Sequence, residues 1–379
     1  MNYRVPFVNY PKQYHNLKKE IDGSIKRILE KGDLILRSDV KNFENNIASF
    51  VGKKYGIGVD SCTGAMFLSL KACGIASQDE VITVAHTYIA TIDVIIHCGA
   101  KPVLIDIGDD FNMNTDLIEE AITPKTKAIM PVHLNGRVCN MDKLMKVARK
   151  HNLLVIEDAA QALGANFKGK MAGSFGVTGC FSFYPAKMLG SFGDAGIIVT
   201  DDKKLAERLY LLRDHGEKPN YLKKADEKNK KDIVFFGFNS LLDNIQATIL
   251  NTKFKYFKGW VKRRREIAGI YQNGLCDLKE IRLPASPGSR GPHFDVFQNY
   301  VLRVKERDGL VKWLEKTGVE TLVQWRMPNH LQKNLGLRHF HLPLTEIVAK
   351  EVVSLPMYPE LTDEQVKYAI KNIVKFYRP

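Results

Sequence analysis

Residues 153–161 read LLVIEDAAQ, four apolar residues followed at once by two acids, two alanines and an amide. The runs VITV (81–84), PVLIDI (102–107) and AIMPV (128–132) have a similar apolar texture. Near-continuous apolar runs are typical of strands covered on both faces, as in a parallel sheet between layers of helices. The chain is therefore predicted to fold around a mostly parallel α/β sheet, whose ligands would lie beyond the carboxyl ends of the strands.

The segment from Gly56 to about Asp202 alternates between strand and helix patterns. Strands are expected at residues 55–60, 81–84, 102–107, 128–134, 153–156, 180–183 and 196–200. Helices are expected at residues 65–73, 88–97, 116–122 and 142–150, the third capped by Asn114 or Thr115. With the arm and helices expected in 1–55, residues 1–240 are predicted to form a large domain with helices on both faces of the sheet.

The regular alternation of strand and helix patterns ends near Leu241, and a smaller α+β domain is predicted to occupy residues 241–379. Its expected elements are a long helical stretch to about residue 275, a proline- and glycine-rich loop at 285–294, strands at 299–305 and 320–325, and a helix at 307–317. The last helix should begin at Thr362, which forms a capping box with Gln365.

Composition indicates a soluble globular protein. The chain has 379 residues, of which 45% are hydrophobic and 26% charged. It has no run of 18 uncharged apolar residues and no basic segment leading into an apolar stretch at its start, so we expect no membrane span, no signal peptide and a cytoplasmic location. The six cysteines form no C-x-x-C pair and no cluster with histidine, so neither a metal site nor a disulfide framework is expected.

The net charge is +14, and part of it is concentrated in residues 218–231 and 253–265. Such an excess favours anionic partners such as nucleotides, phosphates or nucleic acid, although a solvated lysine-rich surface explains it equally simply. The sequence contains no recognisable DNA-binding module. It also has no Gly-x-Gly-x-x-Gly after a strand, which argues against a dinucleotide-binding enzyme.

Lys187 lies in the stretch GCFSFYPAKMLGSFGDAG (179–196), after an apolar strand and before several glycines. This context predicts a tight turn and a partly enclosed amine, although most lysines at the start of a loop are simply solvated. Loss of water lowers the pKa of a lysine amine and makes it a nucleophile. Lys187 is therefore a candidate catalytic residue.

Two further groups are expected near the same edge of the sheet. Asp158 directly follows a strand, where it could pair with a protonated pyridine nitrogen or cap a helix. Residues 61–65, SCTGA, join a strand to a helix, and the free N–H groups of such a junction bind anions. Thr63 adds a hydroxyl and Gly64 allows close approach, although Ser and Thr cap many helices. A lysine, an acid and a phosphate cradle are the protein groups that pyridoxal phosphate (PLP) requires.

Five stretches together resemble the DegT–StrS family of nucleotide-sugar aminotransferases, which have the fold-type I architecture of PLP enzymes. They are GCFSFYPAKMLGSFGDAG (179–196), VIEDAAQALGA (155–165), TKAIMPVHLNG (126–136), DEVITVAHTYIAT (79–91) and SLPMYPELTDEQ (354–365). The resemblance extends from about Val5 to Tyr377.

The resemblance implies roles for matching residues. Lys187 would form the imine with PLP, Asp158 would pair with the ring nitrogen, and Gln161 would lie near the ring hydroxyl. Tyr88 would stack on the ring, unless it is a core aromatic at a helix start. The phosphate cradle would comprise Thr63, Gly64 and Ser182. Asn239 would reach the phosphate of the neighbouring subunit, which implies a homodimer with shared active sites.

Three features depart from the family pattern. Leu241 replaces the arginine of the usual Gly-x-Asn-x-Arg-Leu-Asp, and loss of a bidentate cation changes which anions can be held there. Cys62 stands where glycine is common. The stretch 324–330 is also unusual, and its Arg326 is either a cation near the site or a surface charge.

The implied function is PLP-dependent transamination of a nucleotide-linked keto sugar, with glutamate as amino donor, in amino-sugar and polysaccharide biosynthesis. One alternative is a PLP sugar dehydratase of the same fold, but those relatives typically have histidine at the position of Lys187. Another is a regulatory nucleic-acid-binding protein of this fold, and a third is an aminotransferase for a free sugar or cyclitol. We expect no nucleic-acid or membrane partner.

Overall fold

The protein is described by a computed structural model covering residues 3–218 and 232–378. In chain order the strands are β1 (Tyr55–Val59), β2 (Glu80–Val84), β3 (Lys101–Ile105), β4 (Thr126–Ile129), β5 (Leu154–Asp158), β6 (Asn166–Phe167), β7 (Lys170–Met171), β8 (Thr178–Ser182), β9 (Gly196–Thr200), β10 (Ile281–Arg282), β11 (His293–Phe294), β12 (Tyr300–Val304) and β13 (Val352–Leu355). The α-helices are α1 (Tyr10–Lys31), α2 (Ser38–Val51), α3 (Cys62–Ala72), α4 (Ala90–His97), α5 (Met141–Lys150), α6 (Lys203–Leu212), α7 (Asn244–Phe254), α8 (Phe257–Leu275), α9 (Arg307–Lys316), α10 (Pro343–Glu351) and α11 (Asp363–Tyr377).

Seven strands form the central sheet in the order β1-β9-β8-β5-β4-β2-β3. The pairings from β8 through β5, β4 and β2 to β3 are all parallel, and only β9 runs antiparallel to its neighbours. Successive residues of a strand face opposite layers. Val155 packs with side chains of α2, α5 and α7, whereas Ile156 packs with α3, α4 and α6. The mostly parallel sheet with helices on both faces is thus confirmed.

A second, antiparallel sheet in the order β10-β12-β13 lies in the C-terminal part, where α8, α9 and α11 pack around it. The N-terminal chain joins this region, because the N–H of Val5 donates to Gly318 O at 3.0 Å and the N–H of Glu320 donates to Val5 O at 2.9 Å. The smaller α+β part is confirmed. The division of the chain at residue 240 stays a prediction, since α7 packs against α1 and α2 and β11 pairs with β6.

The helix expected at residues 116–122 is wrong. The segment forms two short 3-10 helices, Thr115–Leu117 and Glu119–Ala121. Asn114 caps the first of them by accepting the N–H of Asp116 at 3.1 Å. The chain then leaves the helical path, because a proline at position 124 disfavours helical backbone in the residue before it.

The helical stretch expected to about residue 275 is confirmed as two consecutive helices, α7 and α8, which separate where Phe254 and Phe257 both pack edge-on against Phe50. One further expectation in the C-terminal part needs correction. The strand at 320–325 is reduced to one bridge between Leu322 and Ser354. The strand does not extend to residue 325, because the chain turns at residues 324–325, where Trp325 has a left-handed backbone with φ of 55°.

Other expectations are confirmed within a few residues, including the strand at 299–305, the helix at 307–317 and the capping box between Thr362 and Gln365. The basic stretch 219–231 lies outside the described residues. Among the described helices, none combines the length and the apolar character that crossing a membrane demands.

The buried carboxylate of Glu157 joins β5 to the loop that precedes β8. It accepts the N–H groups of Gly173, Phe175 and Gly176 at 2.6–2.8 Å and lies 2.8 Å from Nε2 of His133. Nδ1 of that histidine accepts the N–H of Cys139, so Nε2 carries the proton and donates to the carboxylate. Four donors therefore converge on one carboxylate, directly before Asp158.

We predict that Glu157→Gln lowers the free energy of unfolding by about 1–3 kcal/mol, because its NH2 group must face at least one of these donors. Urea unfolding would measure the change. Glu119→Gln is the control, since that exposed carboxylate pairs only with surface groups and its loss should leave stability almost unchanged. Equal effects of the two substitutions would contradict the prediction.

Candidate active site

A cavity of about 650 Å3 lies at the carboxyl ends of β5 and β8. Six of the eight expected site residues line it, namely Thr63, Tyr88, Asp158, Gln161, Ser182 and Lys187. Gly64 and Asn239 do not. The cavity wall also includes polar residues that sequence reasoning missed, namely Arg264, Gln298, Asn299 and Gln324. These come from the C-terminal part of the chain. Gln298 and Asn299 form a pair of amides immediately before β12, and Gln324 begins the unusual stretch 324–330, but neither signal assigned these residues to a site.

Lys187 lies in a tight turn after β8. Its N–H donates to Tyr184 O at 2.8 Å, and a side chain at Gly190 would clash with Pro185 O, because its Cβ would lie 2.2 Å away. Burial lowers the pKa of the Lys187 amine, whereas the nearby Cys62 and Asp158 act in the opposite direction. A larger fraction of the amine is therefore neutral and nucleophilic than in a solvated lysine.

Asp158 is buried at the end of β5. Its carboxylate accepts the hydroxyl of Thr91 at 2.8 Å and the N–H of Ala160 at 3.1 Å. Burial raises the pKa of Asp158, whereas these hydrogen bonds and the positive charge of Lys187 lower it. No helix begins here, since residues 159–165 are turns, so the carboxylate is not a helix cap. It is placed to meet a cationic group inside the cavity.

The start of α3 forms one wall of the cavity, through Ser61, Cys62 and Thr63. Ser61 caps the helix by accepting the N–H of Gly64 at 3.0 Å. The positive end of the helix dipole therefore faces the cavity together with the hydroxyls of Thr63 and Ser182, which suits a phosphate.

Gly64 serves packing in this structure. A Cβ at this position would lie 2.2 Å from Oδ1 of Asp60 and 2.7 Å from Oγ of Ser240. Ser240 donates to the same oxygen of Asp60 at 2.6 Å. The glycine thus allows the segment around residue 240 to approach the start of α3.

Tyr88 and Asn239 are both exposed, but only one of them reaches the cavity. Tyr88 lies at the rim with 64% of its surface exposed, so it is not a core aromatic. Asn239 pairs through its backbone with Asp214 and does not line the cavity of its own chain. A single chain therefore does not bring Asn239 to the site.

Neither Arg326 nor Leu241 lines the cavity. Arg326 pairs with the exposed Asp308 at 3.0 Å and is a surface charge. Among the described residues lining it, only Lys187 and Arg264 are cationic. Arg264 is buried and donates to the carbonyl oxygens of residues 297, 298 and 357 at 2.8–3.2 Å, and burial lowers its pKa to about 10.

Comparison with known proteins shows the family of this chain. The model of the DegT/DnrJ/EryC1/StrS aminotransferase family matches residues 15–374. This chain belongs to that family. Solved neighbours with the same fold, at 30% and 25% identity, contain pyridoxamine phosphate, and the family is PLP-dependent, so the protein is a PLP-dependent aminotransferase with the fold-type I architecture.

Three relatives illustrate the range of this similarity. The pleiotropic regulatory protein of Geobacillus stearothermophilus is 40% identical over 99% of both chains. The UDP-N-acetyl-3-dehydro-α-D-glucosamine 3-aminotransferase of Acidithiobacillus ferrooxidans is 38% identical over 96% of both. The structure of DesV from S. venezuelae, in complex with a ketimine intermediate, has a TM-score of 0.92 and 35% identity, and it covers 100% of this chain and 99% of that one.

We predict that Gly64→Ala lowers the free energy of unfolding by about 1–3 kcal/mol, because the added methyl separates Asp60 from Ser240 and overpacks the start of α3. Urea unfolding of the apoenzyme would measure the loss. Gly23→Ala in α1 is the matched control. Its Cβ meets nothing within 4 Å, and it should stabilise by about 0.5–1 kcal/mol through helix propensity. A stabilised Gly64→Ala variant would contradict the packing role.

Proposed function

We propose that this aminotransferase transfers an amino group from glutamate to the keto group of a sugar linked to UDP or dTDP. The main support for the proposal is that the enclosed amine of Lys187 and the buried carboxylate of Asp158 line the same cavity. The cavity, at about 650 Å3, lies in the size range of cofactor and substrate sites.

Lys187 would hold the cofactor and move the proton. Its lowered pKa would leave the amine neutral and able to hold the cofactor at its aldehyde carbon, and whenever this amine is free it would accept a proton from the substrate carbon and return it. Bound PLP supplies the electron sink that makes this proton acidic. Asp158 would keep the ring nitrogen protonated, because a buried carboxylate is stabilised by a cation beside it.

The remaining residues would position the cofactor. Thr63 and Ser182, with the N–H groups at the start of α3, would bind its phosphate. Tyr88, at the rim, would cover one face of the ring, and Gln161 would donate to the ring oxygen. Gly64 would contribute indirectly, by letting the start of α3 pack closely.

The nucleotide-sugar substrate is supported by the names of relatives. Besides the A. ferrooxidans enzyme, the dTDP-3-amino-3,4,6-trideoxy-α-D-glucose transaminase of Streptomyces venezuelae is 37% identical over 98% of this chain. The UDP-2-acetamido-2-deoxy-3-oxo-D-glucuronate aminotransferase of Pseudomonas aeruginosa is 35% identical over 96%. All three names place the amino group at sugar carbon 3, so a 3-keto sugar is our first choice, in amino-sugar and polysaccharide biosynthesis.

A homodimer with shared sites is part of the proposal. Asn239 is exposed and lies outside its own cavity, as a residue that serves a second subunit would. The neighbouring segment is apolar and exposed, through Ile233, Val234 and Phe236, the last with 99% of its surface exposed. Exposed apolar clusters of this kind mark protein–protein contacts.

The substrate is tested by offering dTDP-, UDP- and GDP-linked keto sugars with glutamate and PLP, and by detecting the amino sugar with mass spectrometry. We predict an amino product from a UDP- or dTDP-linked 3-keto sugar, and a fall in turnover of at least about 1,000-fold in Lys187→Ala, since both the nucleophile and the proton carrier are lost. Lys255→Ala, at an exposed position, is the control. A dehydrated sugar without nitrogen would favour the dehydratase, and turnover of free sugars alone would favour the cyclitol alternative.

The shared site is tested with mixed subunits. Lys187→Ala and Asn239→Ala proteins should each be impaired as homodimers. After dissociation and random reassociation, half of the dimers combine both variants, and each such hybrid has one intact site. About a quarter of the wild-type sites should then be recovered, as expected for a twofold dimer. No recovery would mean that Asn239 acts within its own chain, and an unimpaired Asn239→Ala homodimer would mean that it has no role in the site.

A further inference from the structure

Four carboxamides meet in one wall of the active-site cavity. The buried Asn299 stands directly before β12, and its Nδ2 lies 3.1 Å from Oδ1 of Asn135, 3.3 Å from Oε1 of Gln161 and 3.0 Å from Oε1 of Gln324. Gln161 and Gln324 both line the cavity, as does Asn299 itself.

The orientation of this network is fixed by a main-chain group. The backbone N–H of Asn135 donates to Oε1 of Gln161 at 2.8 Å. A backbone N–H can only donate, so the atom of Gln161 that faces it must be the carbonyl oxygen. Asn135 can present its N–H in this way because it adopts a left-handed backbone, with φ of 57°, which asparagine tolerates better than most residues.

Donor and acceptor roles also orient the other three amides. Because Oε1 of Gln161 is an acceptor, the atom of Asn299 beside it must be the NH2 nitrogen. That nitrogen also lies 3.1 Å from Asn135 and 3.0 Å from Gln324. An NH2 group at either position would oppose it, so both residues present carbonyl oxygens, and its two hydrogens are shared among three acceptors. Each neighbour of Asn299 therefore turns its oxygen inward and its own NH2 group away. Among the described residues, the NH2 groups of Gln161 and Gln324 have no partner.

We propose that Asn299 is a positioning residue that holds Gln161 and Gln324 with their N–H donors directed into the active site. The proposal rests on the proposed function for what these donors meet. Gln161 would donate to the ring oxygen of the cofactor. Gln324 would donate to an oxygen acceptor on the substrate sugar, a contact that no sequence motif assigns.

Asn135 and Asn299 also line a second cavity of about 220 Å3, which lies beyond the same wall. The contact between these two side chains thus separates the active site from a neighbouring space. The orientation of Gln324 depends on Asn299, since a rotated Gln324 would place its NH2 group against the NH2 of Asn299.

The test compares Asn299→Leu with Asn372→Leu, which removes another buried asparagine far from the site, in α11. The first readout is the pH titration of the visible absorption band of the PLP-loaded enzyme. A donor at the ring oxygen stabilises its anionic state, so its loss should raise the apparent pKa of the band by about one pH unit. Asn372→Leu should leave this pKa unchanged.

The second readout is steady-state kinetics with both substrates. Asn299→Leu should raise KM for the keto sugar by about tenfold, the equivalent of one hydrogen bond, and should leave KM for glutamate nearly unchanged. Gln324→Leu should show the same rise in KM without the spectral shift. In Gln161→Leu the spectral shift should already be present, and adding Asn299→Leu should not increase it.

A wild-type enzyme without an absorption band would refute the proposed function itself. If the wild type has the band but Asn299→Leu titrates with the same pKa and has the same KM values, Asn299 has no positioning role and the inference is overturned. Should the leucine variant fail to fold, Asn299→Ala removes the same donor without adding bulk. The pKa of its absorption band and its KM for the keto sugar then decide whether Asn299 has a positioning role.

Discussion

Burial of an amine and a carboxylate in one cavity is the constraint on which this site depends. Loss of water raises the pKa of Asp158 and lowers that of Lys187, so both groups are driven towards their neutral forms. A cation beside it would stabilise the carboxylate of Asp158, and an electrophile would react with the neutral amine of Lys187. PLP carries both, as a protonated ring nitrogen and an aldehyde. The two groups of the cofactor would thus interact with the two residues whose pKa values burial shifts.

The rest of the fold keeps these two groups in place. Glu157 receives four donors directly before Asp158, and Thr91 fixes the aspartate from α4. Behind the Lys187 turn, the buried Lys253 donates to Gly190 O at 2.6 Å and to Gln13 at 3.0 Å. Two cations of the basic stretch 253–265, Lys253 and Arg264, are therefore buried. They hydrogen-bond to main-chain carbonyl oxygens and are not part of a solvated surface.

Much of the large domain could be predicted from the sequence, because apolar runs identify strands buried on both faces and strand ends identify the ligand edge. Lys187, Asp158 and the start of α3 were found in this way. The opposite wall could not be predicted, because Gln298, Asn299 and Gln324 reach the site only through tertiary packing of the C-terminal part. The strand expected at 320–325 was wrong for a similar reason: the distant Val5 takes the main-chain pairing of Glu320, a contact with no local signal.

The most direct test is to identify the lysine that holds the cofactor. The protein is incubated with PLP, reduced with borohydride and mapped by peptide mass spectrometry. The phosphopyridoxyl mass should appear on Lys187 and not on Lys253, whose pKa is also lowered, to about 8, but whose amine is occupied by two acceptors. Modification of another lysine, with Lys187 unmodified, would contradict the assignment of Lys187 and the site built around it.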